Sequence, residues 1–171
     1  MTLPGLSIWA ALMGAAQAPA TAEMHWQAQI AVVLITICAI VASVLLHYEG
    51  LTLLQRNLGH VHLGPRRMRV LFGIIGVLLM HAIEIMFFAL GYAGVHAVHD
   101  AGAIHGMPHP EFLDLMYFSA ITYTTVGYGD LVPVGPLRFI AAVESLAGFV
   151  LVSHFYCSLS KRPLRHRSHR I

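Results

Sequence analysis

Charge is scarce in this chain: ten Lys and Arg and eight Asp and Glu make up only 11% of its 171 residues, against 57% apolar side chains. So little charge beside so much apolar surface excludes an ordinary soluble domain of this size and points to a bilayer. The formal net charge of +2 is too small to argue for a nucleic-acid partner. Cysteine is nearly absent. The two present, Cys38 and Cys157, both fall inside apolar runs, so neither a disulfide framework nor a paired-thiolate metal site is expected. Ser153 and His154 adjoin, but no acid partner or strand-elbow setting accompanies them, so nucleophilic catalysis is not expected and no organic cofactor is implied. Lys and Arg are missing altogether from residues 1–25 and from Ala93 to Pro136.

A spanning helix needs about 20 mostly apolar residues to cross roughly 30 Å of hydrocarbon at its 1.5 Å rise per residue. Three stretches meet that requirement: residues 26–47, 70–92 and 137–160. None carries arginine at every third position, so a voltage-sensing helix is excluded. Residues 93–110 are rich in Gly and His and read as a loop. Residues 111–123 are apolar but too short to span, which suits a re-entrant half-helix. Pro110 and Glu111 mark its start, because proline is tolerated in a first turn and an acid there complements the helix dipole.

The basic residues fix an expected orientation. Arg56, Arg66, Arg67 and Arg69 lie between the first two apolar runs, and Lys161, Arg162, Arg165, Arg167 and Arg170 follow the third. By the positive-inside rule the amino terminus and the loop after the second span face outward, and the carboxyl terminus is cytoplasmic, in a plasma (inner) membrane. Residues 1–25 then form an extracytoplasmic segment rather than a removed signal, since the charged start of a signal peptide is missing. Residues 48–69 form a basic cytoplasmic loop and 161–171 a basic tail, both suited to anionic lipid head groups.

After the half-helix the chain reads TTVGYGD, residues 124–130. This heptapeptide, together with the longer stretch Tyr117 to Val134 (YFSAITYTTVGYGDLVPV), resembles the pore module of the potassium channel pore family. The resemblance covers about residues 68–160. It implies an all-α membrane protein of three transmembrane helices plus a pore helix and selectivity filter, assembled as a homotetramer in the bilayer. It further implies passive conduction of K+ rather than enzymatic turnover. Within 70–160 it assigns an outer helix at 70–92, the outer loop at 93–110, a pore helix at 111–123, the filter at 124–130 and an inner helix at 137–160, with 26–47 as an additional helix.

An ion crossing a dry constriction must exchange its water shell for protein oxygens, and rings of backbone carbonyls supply them. Glycine, with no Cβ, reaches the backbone angles that aim successive carbonyls at one axis. By the resemblance, Thr125, Val126, Gly127, Tyr128 and Gly129 coordinate K+, with Thr124 and Asp130 supporting the filter. At the position where some family members carry an acid that pairs with the aspartate after the filter, this chain has Ile121. Asp130 must find another partner, and Tyr117 is the candidate.

Gly148 resembles the family's inner-helix hinge; the plain alternative is a packing glycine. Helical spacing from it puts Phe149, Val152 and Tyr156 on the inner-cavity side. Glu84 and Glu144, the two acids inside the spans, lie about 10 to 12 Å below the outer boundary, level with the half-helix. Each is costly there and needs a partner, such as Ser119, Thr122 or Tyr123. If close together they would resist double ionisation and form a proton-sensitive brace, with His81 one turn from Glu84. His96, His99, His105 and His109 offer a weak outer metal site. Alternative functions are a nonconducting or regulatory channel subunit and a histidine-dependent metal transporter.

Overall fold

In the computed structural model of the chain, residues 26–60 and 66–160 are described. The expected amino-terminal segment, the end of the basic loop, the cytoplasmic tail and the side chain of Tyr156 lie outside the described residues.

Three long helices carry the fold. Helix α1 runs from Trp26–His60, α2 from Arg66–His96, the short α3 from Phe112–Tyr123, and α4 from Arg138–Ser160 after a single 3-10 turn at Gly135–Leu137. Three of them contain stretches long and apolar enough to cross a membrane: Trp26–Asn57, Val70–His96 and Gly135–Phe155. The apolar runs therefore mark the bilayer crossings, but the helices outlast them. α1 continues thirteen residues past its expected end at His47, and α2 begins four residues before Val70 and ends four after Tyr92. Leu, Gln and Arg in residues 51–56 are good helix formers, so nothing stops the helix where the hydrophobicity stops.

α1 separates two faces. Ala28, Val32, Thr36, Ala39, Ser43, His47 and Leu51 are buried at successive steps of three or four, while Ile30, Leu34, Ile37, Val41, Val44 and Tyr48 are exposed. The exposed stripe is as apolar as the buried one, the pattern of a helix with lipid on one side and protein on the other. α1 packs along α2 and also touches α4. α3 is wedged between α2 and α4, and the central cluster joins Val32 of α1, Phe88 and Tyr92 of α2, Phe118 and Ile121 of α3, and Ile140 of α4. Tyr92 and Phe118 meet edge to face with ring centroids 4.9 Å apart, a favoured aromatic arrangement.

The outer loop is more ordered than its Gly-rich sequence suggests. Residues Ala103–His105 form strand β1, which pairs antiparallel with β2, Val132–Val134, in the register Ala103↔Val134, Ile104↔Pro133 and His105↔Val132. This two-stranded ladder ties the loop before α3 to the segment just past residue 130.

Candidate functional site

α3 starts within one residue of its expected position. Glu111 is the cap, in extended backbone, and the side chain of Asp114 accepts from the Glu111 backbone N–H at 3.0 Å. That satisfies one of the donors that every helix start leaves open. The expected start moves by one residue, to Phe112.

The other end of α3 organises residues 124–130. The Thr124 backbone N–H and its Oγ1 hydroxyl both donate to the Ala120 carbonyl, at 3.1 and 2.7 Å. The Thr125 N–H donates to the Thr122 carbonyl at 3.0 Å, and the Gly127 N–H to the Ile121 carbonyl at 3.1 Å. The chain is thus folded back under the helix while its own carbonyls are left for other partners. Positive φ alternates along it: 58° at Thr125, 49° at Gly127 and 84° at Gly129, with Val126 and Tyr128 between them at negative φ. Alternating handedness turns successive peptide planes so that their carbonyls share one side, which an ordinary strand, with carbonyls pointing alternately left and right, does not do. All seven residues from Thr124 to Asp130 are exposed, and nothing lies within 4 Å of where a Cβ would sit on Gly127 or Gly129.

Three side-chain anchors hold this segment. At the far end of the segment, the Tyr117 hydroxyl donates to Asp130 Oδ2 at 2.9 Å. That bond raises the Tyr117 phenol above its ordinary range, because the proton is held by the carboxylate. The second anchor centres on Glu144 of α4, fully buried. The Tyr92 hydroxyl donates to its Oε2 at 2.5 Å, and the Ser119 hydroxyl has two acceptors in reach, Glu144 Oε1 at 2.5 Å and the Ile85 carbonyl at 2.8 Å. The third centres on Glu84 of α2, also fully buried. It accepts from the Tyr123 hydroxyl, and its two oxygens stand 2.9 Å from His47 Nδ1 and 2.8 Å from His81 Nδ1.

The structure therefore brings each acid to α3. Glu84 grips its last residue and Glu144 its middle, and no hydrogen bond joins the two carboxyls. The two acids brace α3 through different hydroxyls, that of Tyr123 for Glu84 and that of Ser119 for Glu144. His47 and Tyr92, missed in the sequence, complete these braces. His47 was readable only as the end of an apolar run; the signal was its place on the α1 stripe that also carries Thr36 and Ser43.

Gly148 is buried against the end of α3, where an added Cβ would lie 2.1 Å from the Tyr123 carbonyl oxygen. Phe149 and Val152 are exposed. The loop histidines do not converge. His99 pairs with its neighbour Asp100, and among the described residues the only group of three able to hold an ion is His47, His81 and Glu84.

Comparison with known proteins gives the same region. Residues 77–164 match a family model described as "Ion channel". The chain is 40% identical over 91 residues to "Two pore potassium channel a" of Oryza sativa subsp. japonica, covering 53% of this chain and 24% of that protein. It is 41% identical over 75 residues to "Two-pore potassium channel 1" of Arabidopsis thaliana, covering 41% and 20%. To "Protein LctB" of Geobacillus stearothermophilus it is 35% identical over 72 residues, covering 36% and 54%. The matched stretches thus span from a fifth to about half of these relatives' lengths. No solved structure matches the chain.

Proposed function

The chain belongs to the ion channel family, an integral membrane protein by its three apolar helices, and from that premise we propose that it is one subunit of a homotetrameric, potassium-selective channel. The observation that carries the reading is the exposed, alternately handed backbone of residues 124–130. Irregular backbone at membrane depth is tolerated only where protein encloses it or water lines it. One chain encloses it on one side only. Copies arranged around a common axis would cover the rest and bring the carbonyls of Thr125, Val126, Gly127 and Tyr128 into stacked rings, with Gly129 at the outer mouth.

K+ is the transported ion. It enters those rings by exchanging water for carbonyl oxygens, and α3 points its carboxyl end, with its partial negative charge, toward the pathway. Potassium as the conducted ion is supported by the names of the plant relatives and by the TVGYG sequence itself. A groove between the filter backbone and α4, lined by Thr125, Gly127, Leu131, Arg138, Ala142 and Ser145, is the surface for the next subunit. Gly148 is the point about which α4 would pivot, while Phe149 and Val152 line the inner pathway. In this reading residues 26–60 add a peripheral helix to a pore module of 70–160, with the amino terminus outside and the carboxyl terminus cytoplasmic. The basic loop and tail meet anionic lipid.

The test is reconstitution of the purified chain in liposomes under K+ and Na+ gradients. Flux carried by K+ and not by Na+ is expected. Absence of flux would favour a nonconducting subunit, and equal flux of both ions would remove the filter assignment.

A further inference from the structure

We propose that His47, His81 and Glu84 form a binding site for a divalent transition-metal ion of the zinc type, with His154 as the additional ligand, in the wall behind the pore helix. The ligand atoms of the first three lie within 4.8 Å of one another. They come from two different helices, α1 and α2, and His154 of α4 brings a third, its ring centroid 5.5 Å from that of His47. The His47 and His81 rings are 5.8 Å apart. Two imidazoles and a carboxylate are a donor set that zinc takes readily, and an additional imidazole completes four-coordination.

Spacing favours the ion as well. Around a tetrahedral zinc with bonds of about 2.0–2.1 Å, neighbouring ligand atoms stand about 3.3 Å apart. The Glu84 oxygens already stand 2.9 Å from His47 Nδ1 and 2.8 Å from His81 Nδ1. Small side-chain turns are enough to open that spacing.

The independent observation is at His47. This residue is 2% exposed, and its Nε2 is buried with no hydrogen-bond partner. With Nδ1 held by Glu84, the remaining nitrogen is an uncompensated acceptor in the protein interior, where nearly all polar atoms are satisfied. Because Nε2 has no protein partner to give up, the His47 ring can present a nitrogen to an ion beside Glu84 at the loss of one hydrogen bond only, the one to Glu84 that the ion replaces. Glu84 supplies negative charge against the cost of a cation at this depth. His81 is partly exposed and His154 exposed. Because the Tyr123 hydroxyl also donates to Glu84, an ion drawing on that carboxylate acts on the last residue of α3, next to the filter.

The experiment is calorimetric titration of the purified full chain in detergent with ZnCl2. One ion bound per chain is expected. His47→Ala and His81→Ala should each weaken binding by about tenfold or more, with size-exclusion elution checking that each variant is folded. A variant with His96, His99, His105 and His109 all replaced by Ala should bind as the parent does. If either buried-site variant fails to fold, the exposed His154→Ala decides, with weaker binding expected. Absence of saturable binding by the parent, unchanged affinity in the folded variants, or binding lost only with the loop histidines would overturn the site. Zinc should also lower K+ flux in liposomes in the parent and do so less in His154→Ala. A chain that binds zinc but carries no K+ flux would keep this site and lose the channel reading instead.

Discussion

Thr125 is a β-branched residue at φ 58°, a conformation that costs of order 1–3 kcal/mol and persists only where its surroundings impose it. Here the imposition comes from the hydrogen bond to Thr122 on one side and from that of Gly127 to Ile121 on the other. Gly127, at φ 49°, carries no such penalty because it has no Cβ. Gly127→Ala therefore meets open space within its own subunit yet adds about 1–2 kcal/mol of backbone strain per chain. Loss of K+ conduction or of preference over Na+ is expected, read by single-channel recording. Unchanged selectivity in that variant would remove the carbonyl rings from the mechanism. At the Glu144 brace the effect is on folding instead. Glu144→Leu leaves the Tyr92 hydroxyl without its acceptor and Ser119 with one fewer, for a loss of about 1–3 kcal/mol. Glu144→Gln keeps one acceptor oxygen and should lose less. Thermal melting of the detergent-solubilised protein separates the two.

Among the elements, α3 is the one whose position decides the site, and it is held from both neighbours. Gly148 shows how closely: any side chain there meets the Tyr123 backbone at 2.1 Å, and backbone does not swing aside as a side chain would. Gly148→Ala should cost about 1–3 kcal/mol by overpacking and lower the melting temperature. A variant as stable as the parent would mean that α4 is free to move off α3. Much at this scale is legible in the sequence. The three apolar runs and the 111–123 half-helix correspond to α1, α2, α4 and α3, because lipid thickness and helical rise are fixed quantities. Helix ends are less legible, since hydropathy records where lipid stops, not where hydrogen bonding stops; α1 runs on to His60 for that reason. β1 and β2 are illegible, being three residues each, too short for alternation to register, and separated by the whole of α3 and the filter. The partners of Glu84 and Glu144 are half legible. Depth brings both acids to α3, but which hydroxyl each meets depends on helix rotation.

Seen whole, the described chain presents apolar side chains outward on every long helix and leaves its most irregular backbone uncovered. Lipid is a suitable neighbour for the first surface and an unsuitable one for the second. The proposed tetramer would place four such strands around one ion. Cross-linking of the purified protein in mild detergent should therefore give a ladder ending at four chains. A monomer that conducts would refute the assembly.

The β1–β2 ladder has a practical consequence for anyone modifying this protein. Its register fastens residues 103–105 to 132–134, so the loop before α3 and the segment after residue 130 move together. An epitope inserted at 107–110, past the end of β1 and ahead of α3, displaces no ladder bond and should leave surface expression intact. The same epitope between Ala103 and Ile104 pulls on Pro133, three residues beyond Asp130, and so works as a lever on the end of the 124–130 segment. Surface labelling of both insertions, paired with K+ flux, separates them: the first should keep both signals and the second should be expressed but conduct poorly.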